Sequence, residues 1–143
     1  MTPLERYCAF FEQFGPDSLD GFGTIYAEDA RFRDPFNDLR GLAAIRHLFA
    51  HGLEQCPGMR FEILLALSGE HDGQPVAMIR WRMRCATRGR NPLAVEGCTT
   101  LRFDDRGRVV DHVDDWDPAG QLYERVPLLG SLMRLLRRRL AAR

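Results

Sequence analysis

Apolar residues recur along this chain at two spacings, and the change from one to the other divides it. Up to residue 55 the spacing is helical. Leu4, Tyr7, Cys8, Phe11 and Phe14 mark one face of a helix over residues 2–13. Thr2 can cap it, Pro3 suits its first turn, Glu5 stands where a capping-box acid belongs, and Gly15-Pro16 stops it. A second short helix is expected over residues 19–26, capped by Asp17 or Ser18, with Leu19, Phe22, Ile25 and Tyr26 on one side. Residues 30–34 read as a short strand ended by Pro35. Leu42, Ile45, Leu48, Phe49 and Leu53 then predict a helix over residues 42–55, which Pro57-Gly58 terminates.

Beyond residue 60 the period becomes two. Phe61, Ile63, Leu65 and Leu67 alternate, as do Ala77, Ile79, Trp81, Met83 and Cys85, and two further runs cover residues 95–103 and 109–116. Turn signals separate them: His71-Asp72-Gly73, the stretch 88–92, and Asp104-Asp105-Arg106-Gly107. Four antiparallel strands linked as hairpins are expected. Asp117-Pro118 opens a helical turn. Pro127 starts a last helix with Leu129, Leu132, Met133, Leu136 and Leu140 on one stripe and Arg134, Arg137 and Arg138 off it. Helices followed by a long antiparallel meander make an α+β layout in which a bent sheet wraps helices around a conical cavity.

Composition narrows the function classes. The 143 residues fit one domain, and 45% are hydrophobic, enough for a real core. Formal net charge is zero, which argues against a nucleic-acid partner. All 20 basic residues are Arg. No apolar run approaches the roughly 18 residues of a membrane span, so a membrane partner is not expected. The basic last helix is expected to dock on its own domain or on a dimer mate. Cys8, Cys56, Cys85 and Cys98 form no CxxC, and with no signal peptide they are expected to be reduced in a cytoplasmic protein. His47 and His51 have a metal-compatible spacing but lack a third ligand, so neither a metal nor another cofactor is expected.

Two blocks carry a family resemblance: YAEDARFRDPF, followed by the helix start at Gly41-Leu42-Ala43-Ala44-Ile45, and TTLRFDDRGRVVDHVDDWDP. Together, in this order, they resemble the nuclear transport factor 2-like superfamily, in its SnoaL-like and ketosteroid-isomerase-like branch. The resemblance implies a cone-shaped α+β fold over nearly the whole chain, with an extra C-terminal helix, and a homodimer paired through the sheet. It implies a pocket for a small apolar molecule and acid–base chemistry of the isomerase or cyclase kind. It does not choose a reaction, because the fold hosts isomerases, cyclases, hydrolases, dehydratases and binding modules without catalysis.

Residue by residue, the resemblance places Asp34 at the general base of ketosteroid isomerases. The oxyanion-hole acid of those enzymes falls on Thr99, and their helix-one Tyr falls on Phe10 or Tyr7. Asp114 matches the catalytic Asp of limonene-epoxide hydrolases, whose Arg partner could come from the strand bearing Arg80, Arg82 and Arg84. Parity along the last strand puts His112, Asp114 and Trp116 on one face. Asp34, beside Tyr26, Phe32 and Phe36, would lose water there, as a general base does; alternatively it caps the Pro35 turn. The candidate catalytic groups are Asp34 as the base and Asp114, with His112, as the acid or water-positioning group. The candidate substrate-binding side chains are Tyr7, Tyr26, Phe36, Trp81, Met83, Thr99 and Trp116.

Overall fold

Thr2 closes the first helix as its sequence predicts. Its backbone N–H donates to Glu5 Oε2 at 2.7 Å and its hydroxyl oxygen accepts the Glu5 N–H at 3.1 Å, which satisfies two of the otherwise unpaired donors at a helix start. In this computed structural model, which describes residues 1–86 and 92–142, helix α1 spans Pro3–Glu12 and buries Tyr7 and Phe11. The predicted second helix is divided: Pro16–Gly21 is a 3-10 turn, and only Phe22–Ile25 is α-helical, α2. From Tyr26 the chain is already extended, so strand β1 runs Tyr26–Arg33. The short β2, Asp38–Arg40, pairs with it across the Pro35 turn. Helix α3, Leu42–Gln55, buries Ile45 completely.

Four longer strands follow: β3 (Arg60–His71), β4 (Gln74–Cys85), β5 (Leu93–Phe103) and β6 (Val109–Trp116). The β4–β5 turn signal lies within residues 87–92, largely outside the described residues. The expected four-stranded meander is part of a six-stranded sheet in the order β2-β1-β6-β5-β4-β3. It contains one parallel pair, β1 beside β6, which sets Phe32 opposite His112. A second departure lies in β3. The pairing shifts between Ile63 and Leu65, so Ile63 faces Trp81 while Leu65 and Leu67 face Arg80 and Met78. A bulge of this kind reverses the side on which every later residue falls. Leu65 and Leu67 therefore lie exposed on the outer face beside Met78 instead of continuing the Phe61–Ile63 stripe.

The helices fill the inside of the curved sheet with aromatic rings. Phe11 touches Phe49 and Phe61 at centroid distances of 5.4 and 5.7 Å, and Phe22 stacks on Tyr26 at 5.7 Å. The cysteines correct the sequence expectation. Cys56, which caps α3, is bonded to Cys85 at the end of β4, with Cα atoms 5.4 Å apart; Cys8 and Cys98 are free. Cysteines 29 positions apart in sequence give no spacing signal, and only the fold brings them together. Closing a loop of that length restricts the unfolded chain. Reduction is expected to cost about 3 kcal/mol and to lower Tm by about 10 °C, read by calorimetry with and without dithiothreitol. An unchanged Tm would show that the bond carries no stability.

After β6 the chain makes a short helix α4, Pro118–Gln121, capped by Asp117, then a 3-10 turn over Tyr123–Arg125, then helix α5, Leu129–Leu140. The main contacts of α5 are with that turn. Its leucine stripe is exposed and is not docked on its own domain. No described helix is long and apolar enough to cross a membrane.

Candidate active site

The sheet curls around a cavity of about 240 Å³. Tyr7 and Phe11 reach it from α1, Phe32 from β1, Leu48 and Phe49 from α3, and Phe61 and Ile63 from β3. Alternate residues of the next three strands complete the wall: Ile79, Trp81 and Met83; Leu93, Val95 and Thr99; His112, Asp114 and Trp116. Register explains the convergence. Thr99 pairs with Ile79 on one side and with Asp114 on the other, so all three share one sheet face.

Gly97 makes this face possible. It lies opposite Trp81 in β4 and opposite Trp116 in β6. A Cβ at Gly97 would stand 2.6 Å from the Trp81 ring and 2.9 Å from the Asp115 carbonyl oxygen. With no side chain there, the Trp81 ring lies across β5 and its Nε1–H donates to Thr99 Oγ1 at 2.7 Å.

From Thr99 a chain of hydrogen bonds runs through the polar part of the wall. The Thr99 hydroxyl donates to Asp114 Oδ1 at 2.6 Å, and His112 Nε2 lies 2.7 Å from the same oxygen. An ionised carboxylate only accepts, so the ring proton belongs on Nε2 and Nδ1 becomes the acceptor. Tyr26 donates its hydroxyl to Nδ1 at 2.9 Å. The Tyr7 hydroxyl stands farther off from Nδ1 at 3.4 Å, a weak contact, and it also interacts with the Tyr26 hydroxyl. His112 is only 2% exposed, while the Asp114 side chain keeps 17%. Oδ1 takes both of the hydrogen bonds that Asp114 receives from the wall, and Oδ2 takes neither.

Asp34 is placed differently. It borders the cavity, but its Oδ1 accepts the backbone N–H of Phe36 at 2.8 Å and of Asn37 at 2.7 Å, and the Asn37 amide donates to both carboxylate oxygens at 3.0 and 3.1 Å. Most of its acceptor capacity holds the Pro35 turn, which is the capping alternative. Of the other sequence candidates, Tyr7, Trp81, Met83, Thr99, His112, Asp114 and Trp116 line the cavity. Tyr26 sits behind the wall as the partner of His112. Phe36 lies exposed, its ring 5.6 Å from that of Trp116. Phe49, Phe61 and Leu93 also line the cavity, beyond the sequence candidates. Nothing in their strand or helix periodicity separates a cavity wall from a packed core.

Compared with known proteins, residues 7–112 match the family model of the SnoaL-like domain. The chain belongs to the SnoaL-like domain family. No curated protein sequence matches it at a significant level. Among solved structures, an NTF2-like protein of unknown function from Exiguobacterium sp. 255-15 superposes with a TM-score of 0.68 at 14% identity, over 81% of this chain and 98% of the other. A candidate SnoaL-like polyketide cyclase from Jannaschia sp. CCS1 gives 0.68 at 15%, over 82% and 87%. A candidate isomerase of the SnoaL-like family from Agrobacterium tumefaciens str. C58 gives 0.61 at 20%, over 80% and 94%. At these identities the likeness establishes the NTF2-like fold, and site residues must be argued from this chain.

In this SnoaL-like domain the two positions open for the helix-one hydroxyl are separated by the fold: Tyr7 faces the cavity, whereas Phe10 packs against Phe11 and Phe22. The arginines of β4 turn outward. Arg82 pairs with Glu96 at 2.6 Å and with Glu62 at 3.2 Å, Arg80 reaches Glu96 at 3.4 Å, and no described lining residue is an Arg. The epoxide-hydrolase alternative, which needs one of them beside Asp114, therefore lacks its cation. His47 and His51 are exposed on α3.

Burial holds the Tyr7 and Tyr26 phenols well above their ordinary value of 10.0, and the nearby Asp114 charge pushes both in the same direction. Both therefore stay protonated and able to donate. Because the folded value is the higher one, their contribution to stability is complete below the unfolded value near pH 10 and is lost as pH rises beyond it. Denaturant midpoints are expected to fall above pH 10, and to fall less steeply in Tyr26→Phe. An equally steep fall in the variant would remove Tyr26 from the account.

Proposed function

We propose that this domain is a cofactor-independent acid–base catalyst acting on a small apolar carbonyl compound, with Asp114 as the base. The observation that carries the reading is the position of Asp114. Its Oδ1 accepts from Thr99 and His112, its Oδ2 takes neither of these bonds, and the residue lines the cavity. Oδ2 takes a proton from the carbon beside the carbonyl. The electron pair of that C–H bond moves onto the carbonyl oxygen, and the Tyr7 hydroxyl donates a hydrogen bond to the charge that develops there. Return of the proton to another carbon gives an isomerase; attack of the enolate carbon on a second carbonyl gives a ring closure. His112, held by Tyr26, is a positioning residue that fixes the Asp114 carboxylate. Asp34 supports the rim through its turn. The apolar walls from Phe11, Phe49, Phe61 and Val95 suit a hydrophobic ring system.

The test is isotope exchange. The protein in deuterated buffer is given apolar cyclic ketones, and deuterium entering the carbon beside the carbonyl is followed by NMR. Exchange faster than buffer alone is expected, and it should saturate with ketone. No acceleration across ketones small enough for the cavity would overturn the catalytic reading and favour a binding module. We also propose a homodimer through the sheet, supported by the exposed Leu65, Leu67 and Met78 on its outer face.

A further inference from the structure

The last helix turns its leucines away from the protein. Although α5 is strongly amphipathic, it meets the domain with its polar side. Gly130 packs so closely on the Glu124 carbonyl that a Cβ there would collide with it. Arg134 donates to that same carbonyl at 2.8 Å, and Arg137 pairs with the Glu124 carboxylate at 3.1 Å. Leu129, Leu132, Leu136 and Leu140, spaced three and four apart, form one stripe. They are 38, 50, 45 and 87% exposed. A helix that packs on the body of a protein normally does the reverse.

The charge around this stripe has one sign. No acidic residue follows Glu124, while Arg125, Arg134, Arg137, Arg138 and Arg139 all lie on α5 or just before it. Only Arg137 is paired with an acid among the described residues of this segment. The surface that complements a bare leucine stripe flanked by arginines is apolar below and anionic at its edge. We propose that α5 lies in the headgroup region of an anionic lipid bilayer, with its leucines among the acyl chains and its arginines on the phosphates. A second copy of the chain is a poorer fit. Beside its exposed apolar patch at Leu65, Leu67 and Met78 the acids Glu62 and Glu96 are already paired with Arg80 and Arg82, so that face offers the α5 arginines no unpaired anion. The placement also favours a ligand drawn from lipid. Tyr123, in the turn that α5 grips, packs near Phe36, and Phe36 packs on Trp116 of the cavity wall.

Flotation of the full chain with vesicles tests this. Vesicles of phosphatidylcholine and phosphatidylglycerol in equal parts should carry the protein, vesicles of phosphatidylcholine alone should carry far less, and added salt should release it. Arg138→Gln with Arg139→Gln should weaken binding about 20-fold or more. Leu132→Gln with Leu136→Gln should weaken it by about tenfold or more, leaving the mass in solution unchanged. Three results would overturn the proposal: no flotation with the anionic vesicles at low salt, equal flotation with both vesicle types, or a drop in mass by light scattering in the leucine variant. The last would assign the stripe to a contact between copies.

Discussion

Asp114→Asn is expected to slow deuterium exchange on an apolar ketone by about two to four orders of magnitude, the range for loss of a general base. The amide is nearly isosteric, and its oxygen can still accept from the Thr99 hydroxyl and His112 Nε2, so the wall keeps its shape. What disappears is the second carboxylate oxygen, which takes neither of those hydrogen bonds. The contrast is Asp34→Asn, where the remaining oxygen still accepts the Phe36 and Asn37 N–H groups. That variant is expected to lose less than about tenfold, through a looser turn. A reversed ranking, with Asp34→Asn the more damaged enzyme, would return the base role to the position that the family resemblance first pointed to. Melting curves of both variants separate chemistry from misfolding.

The second large effect is expected from a residue with no side chain. Gly97→Ala would place a methyl group 2.6 Å from the Trp81 ring and 2.9 Å from the Asp115 carbonyl oxygen. Neither neighbour gives way easily: the carbonyl belongs to the paired strand β6, and the indole is held by Thr99 and the cavity wall. The ring must tilt, which breaks its bond to Thr99 and frees the threonine that steadies Asp114. Overpacking of this kind costs about 1–3 kcal/mol, and the displaced indole should also shrink the cavity. The measurements are the denaturation midpoint and the Trp emission spectrum. A variant with unchanged stability and emission would mean that Trp81 does not depend on the gap at Gly97.

Most of the architecture is legible because period and punctuation are local properties. The Thr2–Glu5 box, the α3 stripe and the alternation through β4, β5 and β6 all follow from neighbours a few residues apart. Parity on β6 was enough to put His112, Asp114 and Trp116 on one face. What escapes is non-local. The bulge after Ile63 leaves an apolar alternation that looks unbroken in sequence, yet it turns Leu65 and Leu67 outward. The parallel pairing of β1 with β6, which lays the Phe32 ring 4.4 Å from that of His112, has no turn to announce it. The Cys56–Cys85 bond joins two elements that only the fold brings together. At the site, the sequence pointed to Asp34 as the base and to Asp114, with His112, as the acid or water-positioning group. The two carboxylates differ because Asn37, three residues on, supplies donors to Asp34, while Thr99 and His112 engage only one oxygen of Asp114.

The most direct test is a crystal structure of the protein with an apolar cyclic ketone that undergoes exchange. The carbon beside the carbonyl is expected within about 3.5 Å of Asp114 Oδ2, the reach of a near-attack geometry, with the carbonyl oxygen toward the Tyr7 hydroxyl. A ketone whose exchanging carbon lies against Asp34, or which binds outside the cavity, would contradict the assignment of Asp114 as the base.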